Sequence, residues 1–165
     1  MSVDPEAQPA ASDGRCLPAH EGQRVWFLGN LMTIKCGGGP GDAMTFIEAQ
    51  LHAGHAPPLH LHRHEDEAFY VLEGEVRFRC GSRDFEAVSG DYVFVPRGVP
   101  HAFKVGANGA RALMVASSPQ LAAFIVAGGE PAQSGPPPRS TADDLARVSE
   151  LAARHDMNVV GPPLP

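Results

Sequence analysis

The sequence predicts an all-β sandwich or barrel followed by one or two short helices. Short apolar and β-branched runs recur at intervals of roughly 8–12 residues between Val25 and Ala116, and turn-forming residues separate them. The 18 glycines and 16 prolines are spread between these runs instead of forming one tract. Residues 76–80 alternate apolar and charged side chains, which is typical of a strand with one buried face. Gly74-Glu75 and Gly81-Ser82 are predicted to be turns.

Composition divides the chain into three parts. Residues 1–22 are rich in Ala, Pro, Ser and Asp, and we expect them to be a flexible N-terminal segment. Residues 23–118 contain the apolar runs and are predicted to form the β-barrel. Residues 119–165 are predicted to be a helical extension and tail, with the helices packed on the outside of the barrel.

Two helices are expected in the extension. Leu121–Ala127 is predicted to be a short helix that two glycines end, and Thr141 is a good N-cap for a second, amphipathic helix. Residues 130–140 contain three consecutive prolines and are predicted to be a stiff connector between the helices. The tail from residue 158 onward is expected to add an edge strand.

Charge and hydropathy exclude several classes of partner. The formal net charge of -6 argues against a nucleic-acid-binding surface. No run of 18 apolar residues is present and the N-terminus resembles no secretory signal, so we expect no membrane contact and a cytoplasmic location. Cys16, Cys36 and Cys80 are too few and too irregularly spaced to predict a disulfide framework or a zinc site.

Two segments contain the residues with potential for chemistry. In residues 54–74, His60 and His62 are separated by one residue, and Glu67 follows after four more. Histidines two apart on a strand point to the same face, and a turn through residues 63–66 would return Glu67 to that face. In residues 90–105, a turn formed by Pro96 and Gly98 would direct His101 inward as a fourth ligand.

Three imidazoles and one carboxylate would suit Fe, Mn, Co, Ni, Zn or Cu as a divalent ion. Four protein ligands leave one or two coordination positions open, and the ion with one carboxylate keeps a formal charge of about +1. Such a site favours an anionic oxygen ligand. Glu67 is the only acidic ligand in the set, and it is also the candidate catalytic base toward a coordinated hydroxyl.

Both segments resemble the two motifs of the cupin superfamily, and the resemblance extends over residues 43–118. It implies a double-stranded β-helix, or jelly-roll barrel, with one metal held by His60, His62, Glu67 and His101. One position departs from the family pattern, since Val105 stands where cupins usually have Asn. That Asn is not a ligand, so the departure leaves the predicted metal site intact.

The first motif and the C-terminal helix are similar to those of bacterial quercetin dioxygenase-like cupins. The similarity implies a dioxygenase that opens a small aromatic or enolisable substrate with O₂. Two other functions stay open. One is a redox-neutral isomerase, cyclase or decarboxylase of small-molecule metabolism, and the other is a small-molecule-binding cupin without catalytic activity. No DNA-binding helix-turn-helix is evident. A homodimer is expected, because the strands before residue 54 exceed what one compact pair of sheets needs.

The remaining polar and aromatic residues have simpler interpretations. His52, His55 and His64 are expected at the surface, as are Glu65 and Asp66 in a solvated turn. Phe69 and Phe103 share strand parity with Glu67 and His101, so they either line a substrate pocket or fill the core. Tyr70 and Trp26 are expected on outer surfaces or at an interface.

Overall fold

A computed structural model describes residues 14–39 and 41–165 of the chain. Ten strands and two α-helices occur in these ranges. The strands are Gln23–Phe27 (β1), Asn30–Cys36 (β2), Thr45–Leu51 (β3), Pro58–His62 (β4), Glu67–Cys80 (β5), Arg83–Val88 (β6), Tyr92–Val95 (β7), His101–Ala116 (β8), Glu130–Pro131 (β9) and Met157–Pro163 (β10). The helices are Gln120–Gly128 (α1) and Ala142–Ala152 (α2), and a 3-10 turn follows at Ala153–His155.

The fold is a cupin-type jelly-roll barrel built around the two longest strands, β5 and β8. They pair antiparallel from Glu67↔Ala116 to Cys80↔His101, and register shifts interrupt the pairing on both sides of Glu73. A straight strand of this length would separate its ends by about 40 Å. Glu67 nevertheless contacts the side chain of His101, whose backbone partner is Cys80. The pair of strands must therefore curl back on itself, as closure of a barrel requires.

Gly74 marks the bend in β5. Its φ of +84° is accessible to glycine at little cost, and a Cβ at this position would overlap the carbonyl oxygen of Gly109 in β8. The predicted turn at Gly74-Glu75 is thus wrong: the chain passes through a β-bulge and continues as one strand. The predicted turn at Gly81-Ser82 does connect β5 with β6.

The other strands extend the sheet from β8 and β5. Strands β3, β2, β1 and β9 follow one another outward from the C-terminal half of β8. Strand β4 pairs with the first residue of β8, and β10 pairs with the other side of β4. Strands β6 and β7 pair with opposite halves of β5. The tail forms β10 on β4, as the sequence predicted. Residues 130 and 131 pair with β1, so the predicted connector between the helices includes a short strand.

The C-terminal helices pack on the core and on each other. Leu121, Phe124 and Ile125 of α1 are buried, as are Val148 and Ala152 of α2. Helix α2 begins with a capping box, in which Thr141 and Asp144 exchange side-chain-to-backbone hydrogen bonds. Neither of these two helices, within the described ranges, is long and apolar enough to cross a membrane. The predicted N-terminal segment lies partly outside the described residues, which begin at 14.

Candidate metal centre

Three strands bring the four predicted ligands to one place. His60 and His62 project from the same face of β4 because they are two residues apart, Glu67 is the first residue of β5, and His101 is the first of β8. The register pairs His60 directly with His101 across the β4–β8 contact. One candidate ligand atom from each of the four residues lies within 4.8 Å of the other three.

Nitrogen and oxygen atoms converge at the centre of this cluster. The Oε2 atom of Glu67 lies 3.1 Å from Nε2 of His101 and 3.6 Å from Nε2 of His62. The imidazole rings of His60 and His101 lie with their centroids 4.4 Å apart. His62, Glu67 and His101 are buried, and His60 is half-buried. Most of the cluster is therefore shielded from bulk solvent.

Backbone carbonyls orient two of the three imidazoles. Nδ1 of His60 lies 2.7 Å from the carbonyl oxygen of Pro58, and Nδ1 of His101 lies 3.1 Å from that of Val99. A carbonyl oxygen only accepts hydrogen bonds, so each Nδ1 carries the proton and each Nε2 keeps its lone pair. These contacts fix the tautomer that a metal-binding histidine needs.

A buried carboxylate orients the third imidazole. Nδ1 of His62 donates to Oε1 of Glu65 at 2.7 Å, and Oγ of Ser118 donates to the other carboxylate oxygen at 2.6 Å. The Nε2 atom of His62 is buried and has no hydrogen-bond partner among the described residues. An unsatisfied buried nitrogen is costly, and a bound cation would satisfy it. Three Nε2 donors and one carboxylate oxygen thus fit a divalent transition metal.

Electrostatics in the cluster also suit a cation. Burial lowers the pKa of His60 to about 3, and the neighbouring His101 and His62 add to this effect. Burial alone would raise the pKa of Glu67, but the interactions with His62 and His101 outweigh it and lower the pKa. Burial would likewise lower the pKa of His62, yet Glu67 and Glu65 outweigh it and raise it. Two carboxylates therefore favour positive charge beside His62.

Comparisons with known proteins agree with this geometry. A family model described as a cupin domain matches residues 47–116, which include all four candidate ligands. A quercetin 2,3-dioxygenase from Bacillus subtilis is 26% identical over 144 residues, which is 86% of this chain and 43% of that protein. Residues 47–116 of the chain are therefore similar to the cupin domain family. The whole chain spans less than half the length of this curated relative, and it resembles quercetinase-like cupins.

Solved structures whose sequences are less similar to this chain support its cupin fold. KdgF from Halomonas sp. superposes with a TM-score of 0.56 at 17% identity, and the match covers 64% of this chain and 94% of that one. An oxalate decarboxylase from Bacillus subtilis matches with a TM-score of 0.52 at 20% identity, over 64% of this chain and 31% of that one. Both similarities concern the cupin fold.

An apolar cavity opens beside the four candidate metal ligands. His60, His62 and Glu67 form one part of its wall, and the helices α1 and α2 form another. The helices thus close over the cavity in addition to covering the barrel. Within residues 14–39 and 41–165, the other polar side chains in the wall are those of His55 and Ser149, and no Lys or Arg lines it. The cavity volume is about 90 Å³, whereas pockets for drug-sized ligands are about 300–1,000 Å³.

Two residues predicted to be at the surface are buried. Glu65 is 3% exposed because its carboxylate is enclosed between His62 and Ser118. His55 is 9% exposed because Phe103 covers one side of its ring and the loop before β4 turns it inward. Asp66 is closer than Glu65 to the predicted solvated position, because it is partly exposed and forms an ion pair with Arg97.

The remaining predicted residues divide between core and surface. Phe103 lines the cavity, whereas Phe69 packs against Phe103 and Phe78 and takes the core-filling alternative. His52 and His64 are exposed, as the sequence predicted. Tyr70 is exposed on the outer face of β5.

Proposed function

We propose that this cupin is a metal-dependent dioxygenase that acts on a small aromatic or enolisable compound with O₂. The observation that carries the proposal is the cluster of three imidazoles and one buried carboxylate at the end of an apolar cavity. Its open side faces the space where a substrate would lie. The similarity to quercetin 2,3-dioxygenase over 86% of the chain favours oxygenation over the other cupin activities.

In this proposal His60, His62, His101 and Glu67 hold the ion. A bound divalent ion would supply an electrophilic centre for an anionic substrate oxygen and for O₂. Among the described residues, Glu67 is the only one whose carboxylate lines the cavity. We assign it a second role as the base that accepts the proton of the substrate hydroxyl. The apolar walls exclude water from the reacting atoms.

The lining residues and the volume of the cavity indicate a class of substrate. Because no Lys or Arg of the described part of the chain lines the cavity, a phosphorylated substrate would find no cationic side chain to pair with its charges. A volume of about 90 Å³ is smaller than the roughly 150 Å³ of an apolar cavity known to bind benzene. A three-ring flavonol therefore requires the walls to move further than a single-ring compound does. We expect the substrate to be a compact, uncharged or singly acidic enol or phenol.

Oxygen consumption tests the proposal directly. The apo-protein is loaded separately with Fe, Mn, Co, Ni, Cu or Zn, and O₂ uptake is followed with a panel of single-ring enols, catechols and flavonols. At least one redox-active metal should support uptake, and His101→Ala should abolish it. His64→Ala is the matched control, because His64 is exposed and lies outside the cluster.

Three other results would contradict the proposal. Product formation under anaerobic conditions would indicate a redox-neutral isomerase, cyclase or decarboxylase. Tight binding of panel compounds without any turnover would indicate a small-molecule-binding cupin. Failure of the wild-type protein to retain any of the six metals would remove the basis of the proposal altogether.

A further inference from the structure

His55 is held rigidly at the edge of the cavity by its backbone. It lies in the loop between β3 and β4, and its N–H donates to the carbonyl oxygen of His52 at 3.1 Å. Its own carbonyl oxygen accepts a hydrogen bond of 2.9 Å from the N–H of Val105 in β8. With both backbone groups fixed, the side chain has little freedom except rotation of the ring.

The ring of His55 is surrounded by other rings yet has no hydrogen-bond partner. It packs edge-on against Phe103, with centroids 5.8 Å apart, and against His52 at 5.1 Å. No described residue makes a hydrogen bond to either ring nitrogen, although the residue is only 9% exposed and lines the cavity. The cavity is therefore the side from which a ligand would reach these nitrogens.

A purely structural role does not explain an imidazole at this position. A phenyl ring would make the same edge-on contact with Phe103 and would have no polar atoms to desolvate. Burial lowers the pKa of His55 to about 4, with a smaller contribution from His52, so the ring is neutral at neutral pH. A neutral imidazole has one donor and one acceptor nitrogen, and a hydroxyl group can pair with either.

We propose that His55 binds the substrate through a hydroxyl group separate from the oxygen that the metal centre holds. This inference rests on the proposed function in one respect, namely that the substrate lies in the same cavity. It narrows the substrate to a compact enol or phenol with at least one further hydroxyl. That hydroxyl and the metal-held oxygen would fix the ring at two points, and the apolar walls would contact the rest.

Matched ligand pairs that differ by one hydroxyl test this assignment. Kojic acid and allomaltol form one pair, and pyrogallol and catechol form the other; each compound has two adjacent oxygens for the metal. Binding is measured by calorimetry under anaerobic conditions with the zinc-loaded protein, in which no oxidation occurs. In at least one pair, the wild-type protein should bind the hydroxyl-bearing compound about 3- to 10-fold more tightly, as one hydrogen bond permits.

Substitutions of His55 should change the preference for the hydroxyl-bearing compound but not the zinc content. His55→Phe should bind both members of the pair equally, and His55→Gln, which keeps a donor and an acceptor, should restore part of the preference. His52→Phe is the matched control, since His52 is exposed and absent from the cavity wall; it should keep the full preference. All three variants should hold as much zinc as the wild type.

The wild-type protein provides a second measurement that needs no variant. In zinc-loaded protein labelled with ¹⁵N-histidine, the ring nitrogens of His55 should shift with the hydroxyl-bearing compound and much less with its partner. An equal preference in wild type and His55→Phe would overturn the proposal, as would the absence of a preference in both pairs. Neither outcome depends on O₂ uptake, so a failed oxygenase assay and a failed role for His55 are distinguishable.

Discussion

At the scale of single residues, hydrogen bonds determine which nitrogen each histidine presents to the cluster. His62 differs from the other two histidines because a carboxylate, not a carbonyl, accepts its Nδ1–H. An anionic acceptor makes the opposite nitrogen a stronger donor to a metal. Glu65 is in turn held by Ser118, which follows β8 in the sequence. The candidate metal centre therefore includes a carboxylate that orients one candidate ligand without being a ligand itself.

Glu65→Gln should weaken metal binding without unfolding the protein. The amide keeps the size of the side chain but removes the charge that orients and polarises His62. Losses for such partners of metal ligands are about 10- to 100-fold. Competition with a chromogenic chelator measures the affinity, and Glu86→Gln on the exposed face of β6 is the matched control. Equal affinities for Glu65→Gln and the control would show that the carboxylate does not support the site.

His55 should make the metal-free protein less stable in acid. Its pKa is about 4 in the folded state, mainly because of burial, and about 6.5 in the unfolded chain. Below pH 6.5 the unfolded chain therefore binds the proton first, and stability falls until the folded state is also protonated near pH 4. A difference of this size corresponds to about 3 kcal/mol.

Comparison with His55→Phe isolates this contribution, because other groups titrate equally in both proteins. Urea denaturation at pH 7 and pH 4 gives the two free energies of unfolding. The wild type should lose about 3 kcal/mol more than the variant over this interval. Parallel losses in the two proteins would contradict a neutral, buried His55.

The sequence was informative about these residues only where local periodicity decides their position. Spacing of two along a strand was enough to place His60 and His62 on one face. The burial of Glu65 depends on Ser118, which is 53 residues away in sequence, and that of His55 depends on Phe103. No local pattern shows such contacts, so an acidic turn and a histidine after glycine looked like surface features.

At the scale of elements, few buried residues attach α2 to the rest of the cavity wall. Val148 and Ala152 are its buried residues, and Arg147 donates one hydrogen bond to the carbonyl oxygen of Gly128 in α1. Its apolar spacing and its Thr141 cap were readable from the sequence. The bend at Gly74 was not predictable from the sequence, because a glycine with positive φ occurs in turns and in β-bulges alike. The β-bulge forms because β5 continues to pair with β8 on both sides of Gly74.

Thr141→Ala should loosen α2 and leave the barrel intact. The substitution removes the two hydrogen bonds of the Thr141 hydroxyl, one accepted from the N–H of Asp144 and one donated to the carboxylate of Asp144, at a cost of about 0.5–2 kcal/mol to the helix. Hydrogen exchange should accelerate in residues 142–152 but not in β3, β5 or β8. Ser140→Ala, at an exposed position with no side-chain hydrogen bond among the described residues, is the control. Unchanged exchange in α2 would show that packing on α1, not the cap, holds the helix.

At the scale of the whole molecule, the outer face of β5 and β7 is a candidate contact between two copies. Strands β1–β3 are all paired within the sheet, so the sequence argument from surplus strands does not hold. Tyr70, Tyr92 and Phe94, however, are 43%, 64% and 50% exposed on adjacent strands. We propose that this aromatic face forms a homodimer, since neighbouring exposed aromatics often mark an interface.

Light scattering during size-exclusion chromatography tests the dimer. The wild type should elute with twice the mass of one chain, and the double variant Tyr92→Ser/Phe94→Ser should shift toward the monomer. Val160→Ser on β10 is the control, because Val160 is similarly exposed but lies on another strand. A monomeric wild type at micromolar concentration would disprove the proposed interface.

Metal binding should also connect distant parts of the chain thermodynamically. The candidate ligands come from β4, β5 and β8, which the unfolded chain does not hold together, so an ion that binds them binds the native state preferentially. At a free concentration 100-fold above Kd, such binding stabilises the fold by about 2.7 kcal/mol. Removal of the metal with a chelator should therefore lower Tm, and readdition should restore it in proportion to the logarithm of the free metal concentration. His101→Ala should lose this dependence, whereas His64→Ala should keep it, because His64 lies in the exposed turn outside the cluster. A metal-dependent Tm that survives in His101→Ala would place the ion elsewhere in the molecule.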